Sequence, residues 1–142
     1  MADMEPPALE LLQDRNLGQL GFHGLDGYPR VLPVWFEYRD GEILIASPKG
    51  AYKGRALAAD GRASFAVATS QGVPYHQVTV VGDATVERLP EAERMPFVTR
   101  QAERYLGAEG GRRYVERWSK GGHPGDGELI RIRPRRIRFS VV

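Results

Sequence analysis

The stretch from Tyr28 to Ser47 (YPRVLPVWFEYRDGEILIAS) decides the fold of this 142-residue chain. It consists of two arms rich in Val, Ile, Trp, Phe and Tyr, which are residues that favour β-strands. Asp40-Gly41 joins the arms, and this dipeptide favours the tight turn of an antiparallel hairpin. A second turn dipeptide, Asp26-Gly27, connects the stretch backwards to the apolar segment 17–22. The sequence therefore predicts consecutive antiparallel strands over 17–22, 28–38 and 42–46.

Two prolines, Pro29 and Pro33, lie inside the 28–38 segment. Because proline cannot donate a hydrogen bond to a ladder, this strand is predicted at a sheet edge or at a bulge. Alternating apolar residues predict further strands over 62–69, 75–87, 128–133 and 136–142, with Pro134 joining the last two.

Three helical regions interrupt the strands, the first over 8–15. The second is predicted to begin with Ser47 as its N-cap and Pro48 at its first helical position, and to end near residue 60. The third opens at Pro90, with a kink at Pro96, a cap at Gly107 and a further turn or two over 112–118. Six or seven strands with helices between them predict a mainly β fold, an antiparallel barrel with peripheral helices, in a single domain over 1–142.

The composition excludes several classes of protein. The chain has no cysteine, so a disulfide framework and a thiol nucleophile are excluded. Its three histidines, His23, His76 and His123, are far apart in the sequence and predict no metal site. No segment matches a phosphate-binding loop or the G-x-S-x-G motif of serine hydrolases. The acidic, proline-containing N-terminus and the lack of a long apolar run predict a soluble, cytoplasmic protein without a membrane partner.

The net charge of +2 hides an uneven distribution of charge. Arginines are concentrated near the C-terminus, at Arg131, Arg133, Arg135, Arg136 and Arg138, where they alternate with Ile, Phe and Val. This pattern is typical of a strand with a charged outer face at a sheet edge. Because no stacking aromatics accompany the arginines, we expect no nucleic-acid partner.

A second basic segment, residues 47–55 (SPKGAYKGR), is a candidate anion site. It combines a predicted helix N-terminus with Lys49, Lys53 and Arg55 and contains no acid. The free N–H groups and the dipole of a helix N-terminus favour a phosphate. A predicted helix would also place Lys49 and Lys53 on one face, where a bound phosphate would relieve their repulsion. A solvated basic helix face is the alternative interpretation.

The order of these segments resembles a known family. The chain runs P-R-V-L-P-V-W-F-E-Y, an Asp-Gly turn, E-I-L-I-A-S, K-G-A-Y-K-G-R-A-L, H-Q-V-T-V-V-G-D-A-T-V and I-R-I-R-P-R-R-I-R-F. This is similar to the flavin-binding split β-barrel superfamily, which contains pyridoxamine 5′-phosphate oxidase and the oxidoreductases that use the deazaflavin coenzyme F-420 (8-hydroxy-5-deazaflavin). The resemblance implies a split antiparallel barrel, and a homodimer with two equivalent cofactor sites at its interface.

The resemblance also implies which residues bind the cofactor. Lys53 matches the phosphate-binding lysine, and Ser47 matches the hydroxyl residue that precedes it. Arg30 starts the strand that lies under the flavin ring, and Gln77 precedes the V-x-V-x-G strand. The ring strand contributes Leu32, Pro33 and Val34, while Lys49, Tyr52, Arg55 and Lys120 are further candidates, the three cations for the oligoglutamate tail of F-420.

The expected activity is hydride transfer between reduced coenzyme F-420 and a small-molecule electron acceptor. The R-L-x-P segment with which true pyridoxamine 5′-phosphate oxidases end is absent, and the short chain is more similar to the F-420-using branch. The alternatives are an FMN-dependent protein related to those oxidases, and a non-catalytic carrier of a flavin, haem or tetrapyrrole. Tyr52 and His123 are candidate proton donors. The protein is expected to supply position and electrostatics while the cofactor carries the hydride.

Overall fold

Seven antiparallel strands form one sheet, and three helices accompany it. The computed structural model describes residues 6–69, 75–120 and 125–141. The strands are β1 (Gly18–His23), β2 (Pro29–Val34), β3 (Glu37–Arg39), β4 (Glu42–Ser47), β5 (Arg62–Ala68), β6 (His76–Leu89) and β7 (Gly127–Val141). The helices are α1 (Pro6–Gln13), α2 (Tyr52–Ala59) and α3 (Glu91–Lys120). The predicted mainly β fold, a split antiparallel barrel with peripheral helices, is confirmed.

The strand order β2-β1-β5-β6-β7-β4-β3 closes the sheet into a barrel. Strands β2 and β3 stand at its two ends, yet only Trp35 and Phe36 separate them in the chain. Two residues span only a few ångströms, so the sheet must curl until its ends meet. No ladder joins β2 to β3 across the described residues, so this meeting line is an unbonded seam.

The seam corrects one prediction and confirms another. Residues 28–38 were expected to form one strand, but the chain leaves the sheet at Trp35 and re-enters it at the opposite end as β3. The edge position expected from Pro29 and Pro33 is confirmed, because β2 pairs only with β1. The Asp40-Gly41 turn is also confirmed, with positive φ angles of 51° and 76° that match a tight hairpin turn.

The core lies inside the curled sheet. Its largest fully buried side chains come from strands on every side of the barrel, and α1 and α2 add Leu12 and Leu57. Phe36, at the seam, is fully buried and packs edge-on against Phe65 with ring centroids 4.8 Å apart. The core therefore contacts both ends of the sheet. It stabilises the closed barrel at the seam, where no ladder joins β2 to β3 in the described residues.

The C-terminal residues form one long strand instead of two. β7 pairs with β6 along its whole length, and the register shifts where Val81 faces Arg136 and Gly82 faces Pro134. Arg135 is thus the extra residue of a β-bulge, which absorbs the proline without ending the strand. The predicted break at Pro134 is wrong because a bulge accommodates a residue that cannot donate.

The C-terminal arginines differ in their surroundings. Arg131 lies on a part of β7 that pairs with both β4 and β6, so the predicted edge position is wrong there. Its guanidinium donates to Glu87 at 2.9 Å and to Glu42 at 3.0 Å. The Arg131 bond holds the pKa of Glu87 below its usual value. Arg133 pairs with Glu42 and Arg135 pairs with Asp83, so acids on neighbouring strands neutralise much of this charge. The later part of β7 pairs only with β6 and fits the predicted charged edge.

Helix α2 starts later than the sequence pattern indicated. Ser47 is the last residue of β4 and is 4% exposed, and the N-cap is Ala51, which makes no side-chain cap. A turn containing Gly50, with a φ of 75°, separates the strand from the helix. The prediction of Ser47 as N-cap is therefore wrong, and so is the placement of Lys49 on the helix.

Helix α3 is broken at Gly107, whose φ of 78° and ψ of 172° only glycine adopts readily, while the predicted kink at Pro96 produces no non-helical backbone. Beyond the break the chain returns across its own first part. A side chain at Gly111 would place its Cβ 2.7 Å from the Cα of Glu103, so the two parts touch backbone to backbone there. The predicted end of the first helical part at Gly107 is confirmed.

Side chains of α3 hold the seam. Arg104 donates to the carbonyls of Phe36, Leu12 and Asp14, and its guanidinium lies 4.9 Å from the Phe36 ring centroid. The hydroxyl of Tyr105 accepts from Phe36 N at 3.2 Å and donates to the carbonyl of Asn16 at 3.0 Å. Burial raises the pKa of Tyr105, so its proton stays on the donor. The bonds at Phe36 satisfy backbone groups that the interrupted ladder leaves without strand partners, and those at Leu12, Asp14 and Asn16 tie the segment between α1 and β1 to the same helix.

We expect Tyr105→Phe to lower the free energy of unfolding by about 1–3 kcal/mol, because Phe36 N–H and Asn16 C=O lose their partner. Urea unfolding followed by circular dichroism measures the change. Tyr28→Phe is the matched control, since Tyr28 is 71% exposed, and should change stability by less than about 0.5 kcal/mol. Equal effects of the two substitutions would contradict a role for Tyr105 at the seam.

Candidate functional site

A cavity of about 290 Å³ lies where the seam, the end of β4 and helix α3 meet. Pro33, Val34 and Trp35 contribute one wall, and Ile45, Ala46, Ser47 and Pro48 contribute another. Helix α3 adds Arg94, Val98 and Gln101 from its first part and Tyr114 and Trp118 from its second, and α2 adds Lys53. The volume is near the lower end of the range of about 300–1,000 Å³ that is usual for ligand pockets.

Lys53 is the cation of α2 at this cavity. Its side chain is half-buried, and no acidic side chain of residues 6–69, 75–120 or 125–141 pairs with it. Burial lowers the pKa of its ammonium group, because no nearby carboxylate offsets the lost hydration. The first turn of α2 also has no side-chain cap, so its backbone N–H groups remain donors. A half-buried cation beside an uncapped helix N-terminus is suited to bind an anion.

The residues before Lys53 fix its position. Ser47 is buried and its hydroxyl donates to the Pro48 carbonyl at 3.3 Å. The carboxylate of Glu128, on β7, accepts from Gly50 N at 2.9 Å. A side chain at Gly54 would place its Cβ 3.0 Å from the same carboxylate, so α2 packs closely on β7. Glu128 thus anchors the turn before α2 and packs against the helix that carries Lys53.

An aromatic cluster forms one side of the cavity. The Trp35 ring stacks on Tyr105, with centroids 5.2 Å apart and an interplanar angle of 6°, and lies 5.0 Å from the tilted Tyr114 ring. Because Tyr105 precedes the break at Gly107 and Tyr114 follows it, both parts of α3 hold this tryptophan. Trp35 is consequently a fixed flat surface.

Two buried polar side chains from α3 also line the cavity. Arg94 is 8% exposed, and its Nη1 donates to the carbonyls of Gly125 at 3.2 Å and Asp126 at 3.4 Å. Its guanidinium lies 5.0 Å from the Trp118 ring centroid, and no carboxylate in the described part of the chain pairs with it. Gln101 is 5% exposed, and its Nε2 has no hydrogen-bond partner among residues 6–69, 75–120 and 125–141. Buried donors of this kind are costly unless a ligand or water satisfies them.

Three of the predicted site residues form a separate cluster near the β1–β2 turn. The guanidinium carbons of Arg30 and Arg55 lie 5.7 and 5.5 Å from the Tyr52 ring centroid. Arg30 also forms an ion pair with Asp26 at 2.8 Å, which raises the pKa of the arginine and lowers that of Asp26. Tyr52 accepts from Leu25 N at 2.9 Å. None of the three lines the cavity.

The remaining predicted residues are dispersed. Leu32 is 39% exposed on β2, Lys49 lies in the exposed turn before α2, and Lys120 ends α3. Gln77, on β6, donates from Nε2 to Ser140 Oγ at 2.9 Å. The cavity therefore brings together only Pro33, Val34, Ser47 and Lys53 of the predicted set. The predicted proton donor His123 lies outside the described residues.

The sequence analysis missed the α3 residues of the cavity. Arg94 and Gln101 lie at helical spacing with the buried Val98, so two polar residues occupy a buried stripe. Polar residues in this apolar stripe were the sequence feature that could have indicated a site on α3. The contribution of Tyr114 and Trp118 had no such signal, because it depends on the reversal at Gly107.

Two further properties limit what the described residues can do. No group of three His, Cys, Asp or Glu side chains in 6–69, 75–120 and 125–141 is placed to hold a metal ion. None of the helices in the same part of the chain combines the length and the apolar character of a membrane span.

Comparison with known proteins identifies the family. Residues 4–140 match the family model of pyridoxamine 5′-phosphate oxidase. The chain belongs to this family. The predicted membership in the flavin-binding split-barrel group is thereby confirmed, and with it a relation to flavin-associated oxidoreductases. No curated protein matches the chain significantly.

Several solved structures have a fold similar to that of this chain. The conserved hypothetical protein Rv2991 of Mycobacterium tuberculosis has 24% identity, a TM-score of 0.72, and coverage of 99% of this chain and 86% of its own. An F-420 reductase has 18% identity, a TM-score of 0.68, and coverage of 95% and 98%. An FAD-binding protein of Mesorhizobium loti has 20% identity, a TM-score of 0.62, and coverage of 99% and 96%. At these identities the likeness establishes the shared fold.

The lowered pKa of Lys53 predicts how Lys53→Met changes stability with pH. Folding weakens proton binding at this site, so the charged lysine destabilises the fold below its folded pKa. That cost disappears as the pH rises to the unfolded value of about 10.4. We therefore expect Lys53→Met to raise the urea midpoint at pH 7, with the gain declining toward pH 10.5.

Lys49→Met is the control, because Lys49 is exposed in the turn before α2 and should shift the midpoint little at either pH. A Lys53→Met effect that does not vary between pH 7 and pH 10.5 would show that the unpaired charge is not the cause.

Proposed function

We propose that the protein is an oxidoreductase that binds coenzyme F-420 at the cavity beside Lys53 and transfers hydride between it and a small organic acceptor. The observation that carries the proposal is the half-buried Lys53, which has no acidic partner among the described residues and lies beside the uncapped N-terminus of α2. A phosphate is an anion that this arrangement of donors would stabilise.

The residues present fit a phosphorylated tricyclic cofactor. Lys53 and the first N–H groups of α2 would hold the phosphate, and Ser47 would add a hydroxyl donor, since its bond to Pro48 O is a long 3.3 Å. Pro33, Val34 and the clamped Trp35 supply the apolar and flat surface that a ring requires. The cavity of about 290 Å³ accommodates part of such a molecule, so the rest would extend over the neighbouring surface.

Exposed cations near α2 favour F-420 over FMN. Lys49 lies in the exposed turn, and Arg55 contacts Tyr52 and Gly50 but no carboxylate of the described residues. An oligoglutamate tail carries several negative charges, and such cations would attract it. FMN remains the alternative ligand, because it shares the phosphate and the ring.

When bound, the deazaflavin ring supplies the hydride chemistry. The protein would position the ring and support it electrostatically. Lys53 would neutralise the phosphate, Trp35 would limit the tilt of a neighbouring ring, and Val34 and Val98 would give the cavity wall an apolar surface. Binding contacts of this kind lower the entropic cost of bringing two reactants together. No side chain of the protein needs to change its covalent state.

A second copy of the chain would complete the site. The outer face of the sheet is lined by small or exposed residues in register across five strands: Val31, Gly21, Ser64, Val81 and Arg136. Val31 is 67% and Val81 42% exposed, an unusual apolar exposure for a sheet face. The next register row contains Pro33, which also lines the cavity, so the face and the cavity are continuous. Gln77 lies on the same face and would be available to a partner's cofactor.

The cofactor proposal is tested by titrating F-420 into the purified protein and following its fluorescence polarisation. We expect Lys53→Ala to weaken binding about 10- to 100-fold, the value of a charged hydrogen bond. Lys49→Ala should weaken it less, because that side chain does not line the cavity.

A protein that is purified with tightly bound FMN and does not polarise F-420 would contradict the choice of cofactor. Unchanged F-420 affinity in Lys53→Ala would remove the phosphate site. Oxidation of reduced F-420 by added acceptors separates an enzyme from a carrier.

The dimer is tested by placing a charge on the outer face. We expect Val81→Asp to yield a monomer in size-exclusion chromatography with light scattering, because a carboxylate would be desolvated in the interface. Val141→Asp is the control, since Val141 is 57% exposed but faces the other side of β7 from Arg136. A monomeric parent protein, or a dimeric Val81→Asp, would exclude this face as the interface.

A further inference from the structure

Gln101 is the starting observation. Its side chain is 5% exposed and lines the cavity, yet its Nε2 donates to no acceptor in the part of the chain that the structure describes. Leucine would occupy nearly the same volume and would leave no donor unsatisfied. A buried amide donor without a partner at the wall of a cavity points to an acceptor atom supplied from outside the chain.

Arg94 lies two helical turns from Gln101 on the same face of α3 and is also buried. One of its nitrogens, Nη1, is engaged by the carbonyls of Gly125 and Asp126, and these bonds fix the plane of the guanidinium. Its charge has no carboxylate partner within the described residues, in contrast to Arg131, which contacts two. A fixed guanidinium with an unmatched charge is suited to a carboxylate, which accepts from it in a planar arrangement.

The surfaces around these donors are aromatic. Trp35, Tyr114 and Trp118 all line the cavity, and the Arg94 guanidinium packs 5.0 Å from the Trp118 ring centroid. We infer that Arg94 and Gln101 form a recognition site for the carboxylate of a planar, conjugated acid, whose unsaturated part lies among these rings. The assignment of this acid as the electron acceptor rests on the proposed function.

Phosphate is a second possible source of the anion. Lys53, at the α2 side of the cavity, is the donor that the proposed function gives to the cofactor phosphate, whereas Arg94 and Gln101 belong to α3. The inference therefore assigns two anions to one cavity, each with its own donors. Competition between them decides whether the two sets of donors are separate.

The test is isothermal titration of the cofactor-free protein with cinnamate and with cinnamyl alcohol, which keeps the conjugated ring but lacks the charge. We expect cinnamate to bind about tenfold or more tightly than the alcohol, the value of a charge-assisted hydrogen bond. Gln101→Leu should weaken cinnamate binding by about the same factor and leave the affinity for cinnamyl alcohol unchanged. The melting temperature of this variant should equal or exceed that of the parent protein. The combination of lost affinity and unreduced stability distinguishes a recognition residue from a structural one.

Arg94→Lys is the second variant, because it keeps the charge and loses the fork of donors. It should weaken cinnamate binding, whereas Arg100→Lys, on the same helix but paired with Glu37 outside the cavity, should not. Equal affinity for cinnamate and the alcohol, no measurable cinnamate binding, or full affinity in Gln101→Leu would overturn the inference.

Repeating the cinnamate titration with saturating inorganic phosphate separates the two anion sources. Undiminished cinnamate affinity supports a separate acceptor site. Displacement of cinnamate by phosphate would assign Arg94 and Gln101 to the phosphate and overturn the inference. The first titration contains no cofactor, so its result does not depend on cofactor binding. A protein that binds cinnamate but neither F-420 nor FMN would support the carboxylate site and contradict the proposed function.

Discussion

The two-residue link Trp35–Phe36 is the constraint on which the rest of the structure depends. It connects the two ends of a seven-stranded sheet, so the sheet must curl into a barrel. No ladder joins β2 to β3 at the seam within the described residues. The unpaired backbone there requires other partners, and α3 provides them through Arg104 and Tyr105. The same link turns Trp35 toward α3, where Tyr105 and Tyr114 hold it. The link that closes the barrel therefore also positions a wall of the cavity.

The cations of β7 and the two cations of the cavity differ in whether an acid neutralises them. Arg131, Arg133 and Arg135 lie opposite acids of neighbouring strands, and such exposed pairs contribute little to stability or binding. Lys53 and Arg94 are more buried than a typical lysine or arginine and lack a carboxylate partner among the described residues. An unmatched, partly desolvated cation raises the free energy of the unliganded fold. Lys53 and Arg94 line the same cavity, which supports the proposal that the site lies there and not on the more basic C-terminal strand.

Part of the site could be predicted because its residues are close in sequence and belong to recognisable segments. Pro33, Val34, Ser47 and Lys53 come from two neighbouring strands and the helix that follows them, and the order of these segments carried the resemblance. Ser47 was placed correctly near Lys53 for a wrong reason, because Gly50 turns the chain before the helix starts. Arg94 and Gln101 were missed, since a helix pattern shows which face is buried but not what covers it.

The sequence by itself determined most of the strands, the Asp-Gly turns and the edge position of β2, because alternation, turn dipeptides and proline act through local backbone geometry. The order of these segments indicated the family. Only the tertiary structure decided which charges are neutralised and which are not. Arg131 meets Glu42 and Glu87 across strands that are distant in sequence, and Gly107 reverses α3 so that Trp118 reaches Arg94. Electrostatic pairing and burial depend on distances in space, and closure of the sheet sets those distances.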